Sequence, residues 1–193
     1  MEFEEQSQVI GRIVGLLDAS GIPYMLCGSL ASISYSQPRA TYDVDLIIDP
    51  TFAQLNALIA SMNGEEYYVS LEAAQAAHAA RSMFNVIDFE TGWKIDLMIL
   101  KRRPFDTEEF GRRIEHKVLG RRVSVLTPED SMLSKLEWRK ESQSERQYED
   151  VVRVATAQWA KLDLPYLRRW AAELGITEDL EHALRDADEL RPQ

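Results

Sequence analysis

Cysteine is nearly missing from this chain. Cys27 is the single one in 193 residues, which excludes an internal disulfide and fits a reducing compartment, the cytoplasm. Set in an apolar run, it reads as a small core residue rather than a reactive thiol. Histidine is scarce too. His78, His116 and His182 stand far apart, and no Cys/His cluster has the spacing of a zinc site. No apolar run approaches the ~20 residues that span a bilayer, and the acidic opening MEFEEQSQ lacks the basic start of a signal peptide. Positive charge is in deficit: 22 Lys and Arg face 32 Asp and Glu, a net charge of −10. That balance argues against broad, nonspecific binding to DNA or RNA. Repeats and low-complexity segments are absent as well.

What remains is ample for a folded protein. Hydrophobic residues make up 45% of the chain, enough for a real core in a single domain or a small domain with two lobes. The charge is uneven. Residues 1–93 hold three basic against twelve acidic residues, and residues 94–146 hold thirteen against ten. An acidic front and a basic middle could serve a metal and a polyphosphate respectively; basic residues on solvated helix and hairpin faces would give the same tally.

Apolar periodicity outlines the elements. Helical spacing runs over residues 3–20, with Phe3, Val9, Ile10, Ile13, Leu16 and Leu17 on one face, and Gly21 and Pro23 close it. YMLCG is a short buried strand, SLASISYS a short helix, QPRATY a loop, and DVDLIID a strand ended by Pro50. TFAQLNALIASMN is an amphipathic helix capped by Thr51 or Asp49, and SLEAAQAAHAARS is an Ala-rich one. MFNVIDFETGWKIDLMIL reads as a hairpin, as does EHKVLGRRVSVLT around Gly120. RRPFDTEEFGRR is a loop with a short helix. Thr127, Pro128 and Asp130 open a further helix as N-cap, first and third positions. Three more helices follow, and residues 1–140 are expected to form a core with a helical region at 141–193. The expected fold class is α+β.

Two strands carry charges that apolar strands normally exclude. Asp43 and Asp45 in DVDL are two apart, so both project from one face of the strand. Carboxylates this close repel unless a cation lies between them, and a hard ion such as Mg²⁺ suits oxygen ligands. Asp96 in WKIDLMIL sits inside a second apolar strand, where an unpartnered carboxylate is costly. If the two strands are neighbours, three carboxylates meet at one edge, the set that two-metal phosphoryl transfer needs, with Asp96 placed to accept a proton. Asp88 is a further candidate that could face the same cleft or the solvent side of its hairpin. Gly28 and Ser29, at a strand-to-helix turn, offer close backbone approach to a phosphate, exposed N–H groups and a hydroxyl donor. CGSLA is not the G-x-S-x-G elbow, so Ser29 is not read as a nucleophile. The aromatic residues Trp138, Tyr148, Trp159, Tyr166 and Trp170 could stack a base or an acceptor, but their helical spacing favours core.

Taken together, LCGSLA, the thirteen residues from Leu30 to Tyr42, DVDL and the later KIDLMI resemble the nucleotidyltransferase (DNA polymerase β-like) superfamily. PRATYDVDL is similar to the Arg-x-Thr-x-Asp-x-Asp form of small bacterial members. TPEDSMLSKLEWR followed by SERQYEDVVRV resembles the helices of minimal and abortive-infection (AbiEii-like) nucleotidyltransferases. The resemblance covers roughly residues 9–155. It implies a mixed sheet flanked by helices, and Asp43, Asp45 and Asp96 holding two Mg²⁺ ions, with Mn²⁺ as an alternative. It implies an NTP substrate whose phosphates contact Gly28, Ser29 and Lys135, with Arg146 and Asp150 near the nucleotide. The acceptor hydroxyl would belong to an RNA end, a protein or a small molecule. Three functions are open on this reading: an active transferase, either the toxin half of a toxin–antitoxin pair or a stand-alone enzyme; a non-catalytic nucleotide- or protein-binding module; and an antibiotic-modifying enzyme of the aminoglycoside type.

Overall fold

The computed structural model describes residues 2–36, 41, 43–62 and 64–191. A seven-stranded mixed sheet forms its centre. The strands are β1 (Tyr24–Leu26), β2 (Asp43–Ile48), β3 (Tyr67–Val69), β4 (Met83–Asp88), β5 (Lys94–Ile99), β6 (Ile114–Val118) and β7 (Arg121–Val125), in the spatial order β3-β4-β5-β2-β1-β7-β6. The two expected hairpins, β4–β5 and β6–β7, are antiparallel pairs. β2 runs parallel to β5 and antiparallel to β1, and β1 runs parallel to β7. The short edge strand β3 has too few residues for a period to show in the sequence. It forms by pairing Tyr67–Val69 with β4.

Nine α-helices surround the sheet among the described residues. α1 (Glu2–Ala19), α3 (Phe52–Ser61) and α4 (Leu71–Ala80) lie together, α1 reaching β7 and α4 reaching β4 and β5. They cover the side-chain row of Val44, Leu46, Ile48, Phe84, Val86, Ile95 and Leu97, all buried. The alternation in β2 and β4 is the reason: every second residue is apolar and points to that side. The side chain of Phe3, expected on the α1 face, lies outside the described residues. α3 begins at a capping box between Thr51 and Gln54, so Thr51 rather than Asp49 is its cap.

On the other side of the sheet, α2 (Gly28–Ser34) rests on β2 and β6 and touches α6 (Pro128–Ser142) and α7 (Glu145–Gln158). α5 (Pro104–Arg112) precedes β6. α8 (Leu164–Leu174) and α9 (Thr177–Leu190) complete the C-terminal stretch, α8 on α6 and α9 on α7. The Thr127 cap forms as the sequence suggests: its hydroxyl oxygen accepts from the Asp130 backbone N–H at 3.2 Å. No helix among the described residues is long and apolar enough to cross a membrane.

Leu97 is fully buried in β5, between β2 and β4. Leu97→Ala is expected to cost about 2–5 kcal/mol, read as a lower urea midpoint with an unchanged denaturant slope.

Candidate active site

The register of three neighbouring strands arranges the exposed side of the sheet in rows. Asp45 pairs with Asp96 across the parallel β2–β5 ladder, and Asn85 of β4 pairs with Asp96 on its other flank. One step towards the start of β2 lie Asp43, Lys94 and Ile87; one step the other way lie Ile47, Met98 and Met83. The strands expected to be neighbours therefore are neighbours, and the three carboxylates share one face. The cost of placing Asp45 beside Asp96 shows in Asp45. Burial first, then the charges of Asp96 and Asp43, push its carboxyl up to about 6.

Gly28 is required here by two constraints. Its φ is +62°, and a Cβ at this position would lie 1.9 Å from Asp45 Oδ2. Any other residue would be strained and would push the carboxylate aside. The strand-to-helix turn thus lies directly against the acid, with Cys27 N–H donating to the Asp45 carbonyl at 2.9 Å. Cys27 is buried, and burial holds its thiol well above the ordinary range, consistent with the core role read from the sequence.

Asp96 is held on both oxygens. Asn85 Nδ2 donates to its Oδ1 in a short hydrogen bond, and Lys94 Nζ stands 2.9 Å from its Oδ2. The same ammonium is 3.8 Å from Asp43 Oδ1, and its bond to Asp96 raises its own pKa. Neither Asn85 nor Lys94 was among the residues expected at the site. Strand alternation offered the signal for Lys94, because it is two residues before Asp96; Asn85 depended on hairpin register. As placed, no three His, Cys, Asp or Glu side chains among the described residues converge tightly enough to enclose an ion. The donor chemistry still fits a hard divalent cation in an open shell: the set is all oxygen, its charge weighs on Asp45, and such an ion completes its shell with water and phosphate oxygens.

Across the cleft stands α6. Lys135 is buried and lines the cleft. Its Nζ donates to Asp150 Oδ2 at 2.9 Å and to Gln147 Oε1 at 2.8 Å, both from α7. Asp150 is itself buried. Its observed place is behind Lys135, where it neutralises the ammonium, rather than on the cleft wall. Arg146 and Ser29 line the cleft, which has a volume of about 440 Å³. Glu109 of α5 lines it too and was not expected. It follows the buried Phe105 by four residues, one helical turn, which was the available signal. Burial pushes the Glu109 carboxyl up to about 8, against the pull of a hydrogen bond from Ser134.

Other candidates sit elsewhere. Asp88 faces neither cleft nor solvent. It is buried on the α1 side of the sheet, with Arg12 Nη2 2.6 Å from its Oδ2, because its position in β4 has the opposite parity to Asn85. The Glu-Asp pair at the start of α6 is structural. Fully buried Asp130 accepts from Tyr166 and Thr127, and Glu129 accepts the Asp163 backbone N–H at 3.0 Å. Among the aromatic residues, Tyr166 and Trp170 are core, and Tyr148 and Trp159 pack against it. Trp138 is not core: it is 61% exposed and lines the cleft. Arg39 of the Arg-x-Thr-x-Asp-x-Asp pattern lies outside the described residues; Thr41 is buried, and its carbonyl accepts from Gln6 Nε2 at 2.8 Å.

Asp150→Ala is expected to cost about 3–5 kcal/mol, because it leaves the buried Lys135 charge without its carboxylate; chemical denaturation measures this. Asp45 gives a pH signature. Its folded pKa, about 6, lies above the ordinary 3.8, so the folded state holds the proton more tightly. Its contribution to stability is full below the unfolded value and is lost as pH rises through about 6. Asp45→Asn is therefore expected to melt a few degrees above wild type at pH 8, with the gap closing below pH 4.

No family model and no curated protein matches this chain. Solved structures do. The solution structure of the antibiotic-resistance factor ANT(2'')-Ia is similar with a TM-score of 0.60, over 94% of this chain and 97% of that one, at 17% identity. An antigenic nucleotidyltransferase-like protein from Paracoccidioides brasiliensis gives 0.56 over 96% and 93%, at 17% identity. The lincosamide antibiotic adenylyltransferase LnuA, bound to lincomycin, gives 0.52 over 75% and 93%, at 14% identity. At such identities the likeness is one of fold, and this chain has a nucleotidyltransferase-like α+β fold.

Proposed function

We propose that this protein is a nucleotidyltransferase that moves a nucleoside monophosphate from an NTP to an acceptor hydroxyl. One observation carries this reading: the parallel register of β2 and β5 sets Asp45 beside Asp96, with Asp43 on the same face and the Gly28 turn against Asp45. Apolar strands in a sheet centre do not collect three carboxylates on one face without a use for them. The fold neighbours support nucleotidyl transfer in general. Adenylyl is the group named for LnuA and for the ANT(2'')-Ia complex with adenylyl-2''-tobramycin, which makes ATP the first NTP to test.

Each residue has a role in this reading. Gly28 gives the triphosphate close access to the backbone of its turn, and Ser29 adds a hydroxyl donor. Lys135, paired with Asp150, faces the phosphates from α6 and stabilises charge on the leaving pyrophosphate. Arg146 lies on the same wall. Asp96, oriented by Asn85, takes the proton from the attacking hydroxyl. Asp43, Asp45 and Asp96 would hold one or two Mg²⁺ ions, with Mn²⁺ as a substitute; a divalent ion bound there neutralises phosphate charge and activates the hydroxyl. The hydroxyl oxygen bonds to the α-phosphorus. The bond from that phosphorus to the oxygen bridging to the β-phosphate breaks, and pyrophosphate departs with the electron pair. A toxin–antitoxin or AbiEii-like role rests on the resemblance of the α6 and α7 segments alone.

With α-labelled NTP and Mg²⁺, wild type is expected to label an acceptor. Asp43→Ala/Asp45→Ala and Asp96→Asn should each lose transfer by at least ~10²-fold, and Lys135→Met by about 10²–10³-fold. Full transfer by the folded double Asp variant would overturn the assignment. Nucleotide binding without transfer to any acceptor would favour the binding-module reading.

A further inference from the structure

The two halves of the sheet are covered unequally on the cleft side. β1, in the other half, is buried at every position. At the β3–β4 edge, the helix packed on β4 is α4, which lies on the opposite face with Phe84 and Val86. Strand parity then exposes one set of side chains. Met83 and Ile87 share the face of Asn85, and Tyr68 of β3 pairs with Ile87 and so shares it too. Phe89 follows at the end of β4, where its N–H still bonds to the Glu66 carbonyl. Exposure is 49% for Met83, 37% for Ile87, 53% for Phe89 and 58% for Tyr68. These four large apolar side chains form an exposed strip that only Asn85, between Met83 and Ile87, interrupts. It runs into the cleft through Met83 and Met98, and both line the cleft together with Trp138 and Asp96.

We propose that this strip is the acceptor-docking surface, and that the acceptor is a protein presenting a Ser, Thr or Tyr hydroxyl to Asp96 from an apolar, aromatic-rich surface. The proposal rests on the transferase reading above. Position favours acceptor over nucleotide. β4 and β3 lie beyond Asp96, on the side away from the Gly28 turn that would receive the phosphates. Composition selects the class. RNA needs cationic side chains for its phosphates, and Lys94, the one basic side chain in these rows, is engaged by Asp96 and Asp43. A polycationic sugar would bind within the cleft, where Asp43, Asp45, Asp96 and Glu109 supply carboxylates, and would leave the strip of Met83, Ile87, Phe89 and Tyr68 uncovered. Shape completes the argument. Four residue steps from Met83 to Ile87 span roughly 13 Å of β4, with Phe89 in the turn just beyond, whereas small ligands occupy concave pockets. An exposed face carrying Met, Ile, Phe and Tyr has the composition of a protein interface core, with Lys94 beside Ile87 and Glu66 beside Phe89 as its charged neighbours.

In the step, the acceptor side-chain oxygen bonds to the α-phosphorus and its proton passes to the Asp96 carboxylate. Pyrophosphate leaves with the electrons of the broken bond.

The test uses the full chain, Mg²⁺ and α-labelled ATP, CTP or GTP, with three separate pools: soluble protein, RNA and small-molecule extract. Label on protein is expected. Ile87→Lys/Phe89→Lys should lower it at least tenfold, with unchanged NTP affinity and melting temperature. Should that variant melt early, Tyr68→Lys repeats the test. Label confined to RNA or the small-molecule pool overturns the proposal, as does undiminished protein labelling by a folded face variant. So does light scattering that shows a wild-type dimer split by the face variant, since the strip then seats a second copy. NTP binding with no label in any pool, and wild type that fails to bind any NTP, would each sink the transferase reading itself and this proposal with it.

Discussion

The pairing of β2 with β5 is the constraint from which the site follows. Parallel strands in this register bring Asp45 and Asp96 side by side, an arrangement that repulsion disfavours and burial makes worse. Its neighbours answer that stress. Lys94 supplies a positive charge to Asp96 and Asp43, Asn85 supplies a hydrogen bond, and Gly28 leaves room for the Asp45 carboxylate. A shift of one residue in the ladder would turn the acids into the α3–α4 side of the core and bring Val44 and Leu46 to the cleft. The apolar residues between the acids hold the register, because each slip would expose them.

The opposite wall follows a different logic. α6 is anchored by buried polar pairs as well as by the buried Met132, Leu133 and Leu136. Asp130 ties its start to Tyr166 of α8, and Lys135 ties its middle to Asp150 of α7. The second bond holds the Lys135 side chain where it lines the cleft. The helices after residue 142 thus bear on the site without lining most of it. Buried pairs of this kind are costly to break on one side only, so α6, α7 and α8 keep a fixed relation.

Unequal cover divides the sheet by use. Where both faces are covered, strand residues are apolar throughout, as in β1. Where one face is open, β4 alternates between core residues and exposed Met83, Asn85 and Ile87. Alternation with apolar residues on the exposed side is unusual for a solvated face, and it occurs next to Asp96.

Local chemistry was legible in the order of residues. DVDL and KIDL announced one-sided carboxylates because strand period is fixed at two, and Gly28 announced a turn because positive φ favours glycine. Thr127 and Thr51 marked helix starts through hydrogen bonds that span only three residues. Pairings between distant segments were not legible. That Asp88 turns to Arg12 while Asn85 turns to Asp96 depends on how β4 registers against β5. That Glu109 is buried in the cleft wall and Trp138 is exposed at it depends on how α5 and α6 are packed. The physical reason is range: a turn, a cap or a strand period acts within a few residues, whereas burial and charge pairing come from side chains that meet only once the chain is folded.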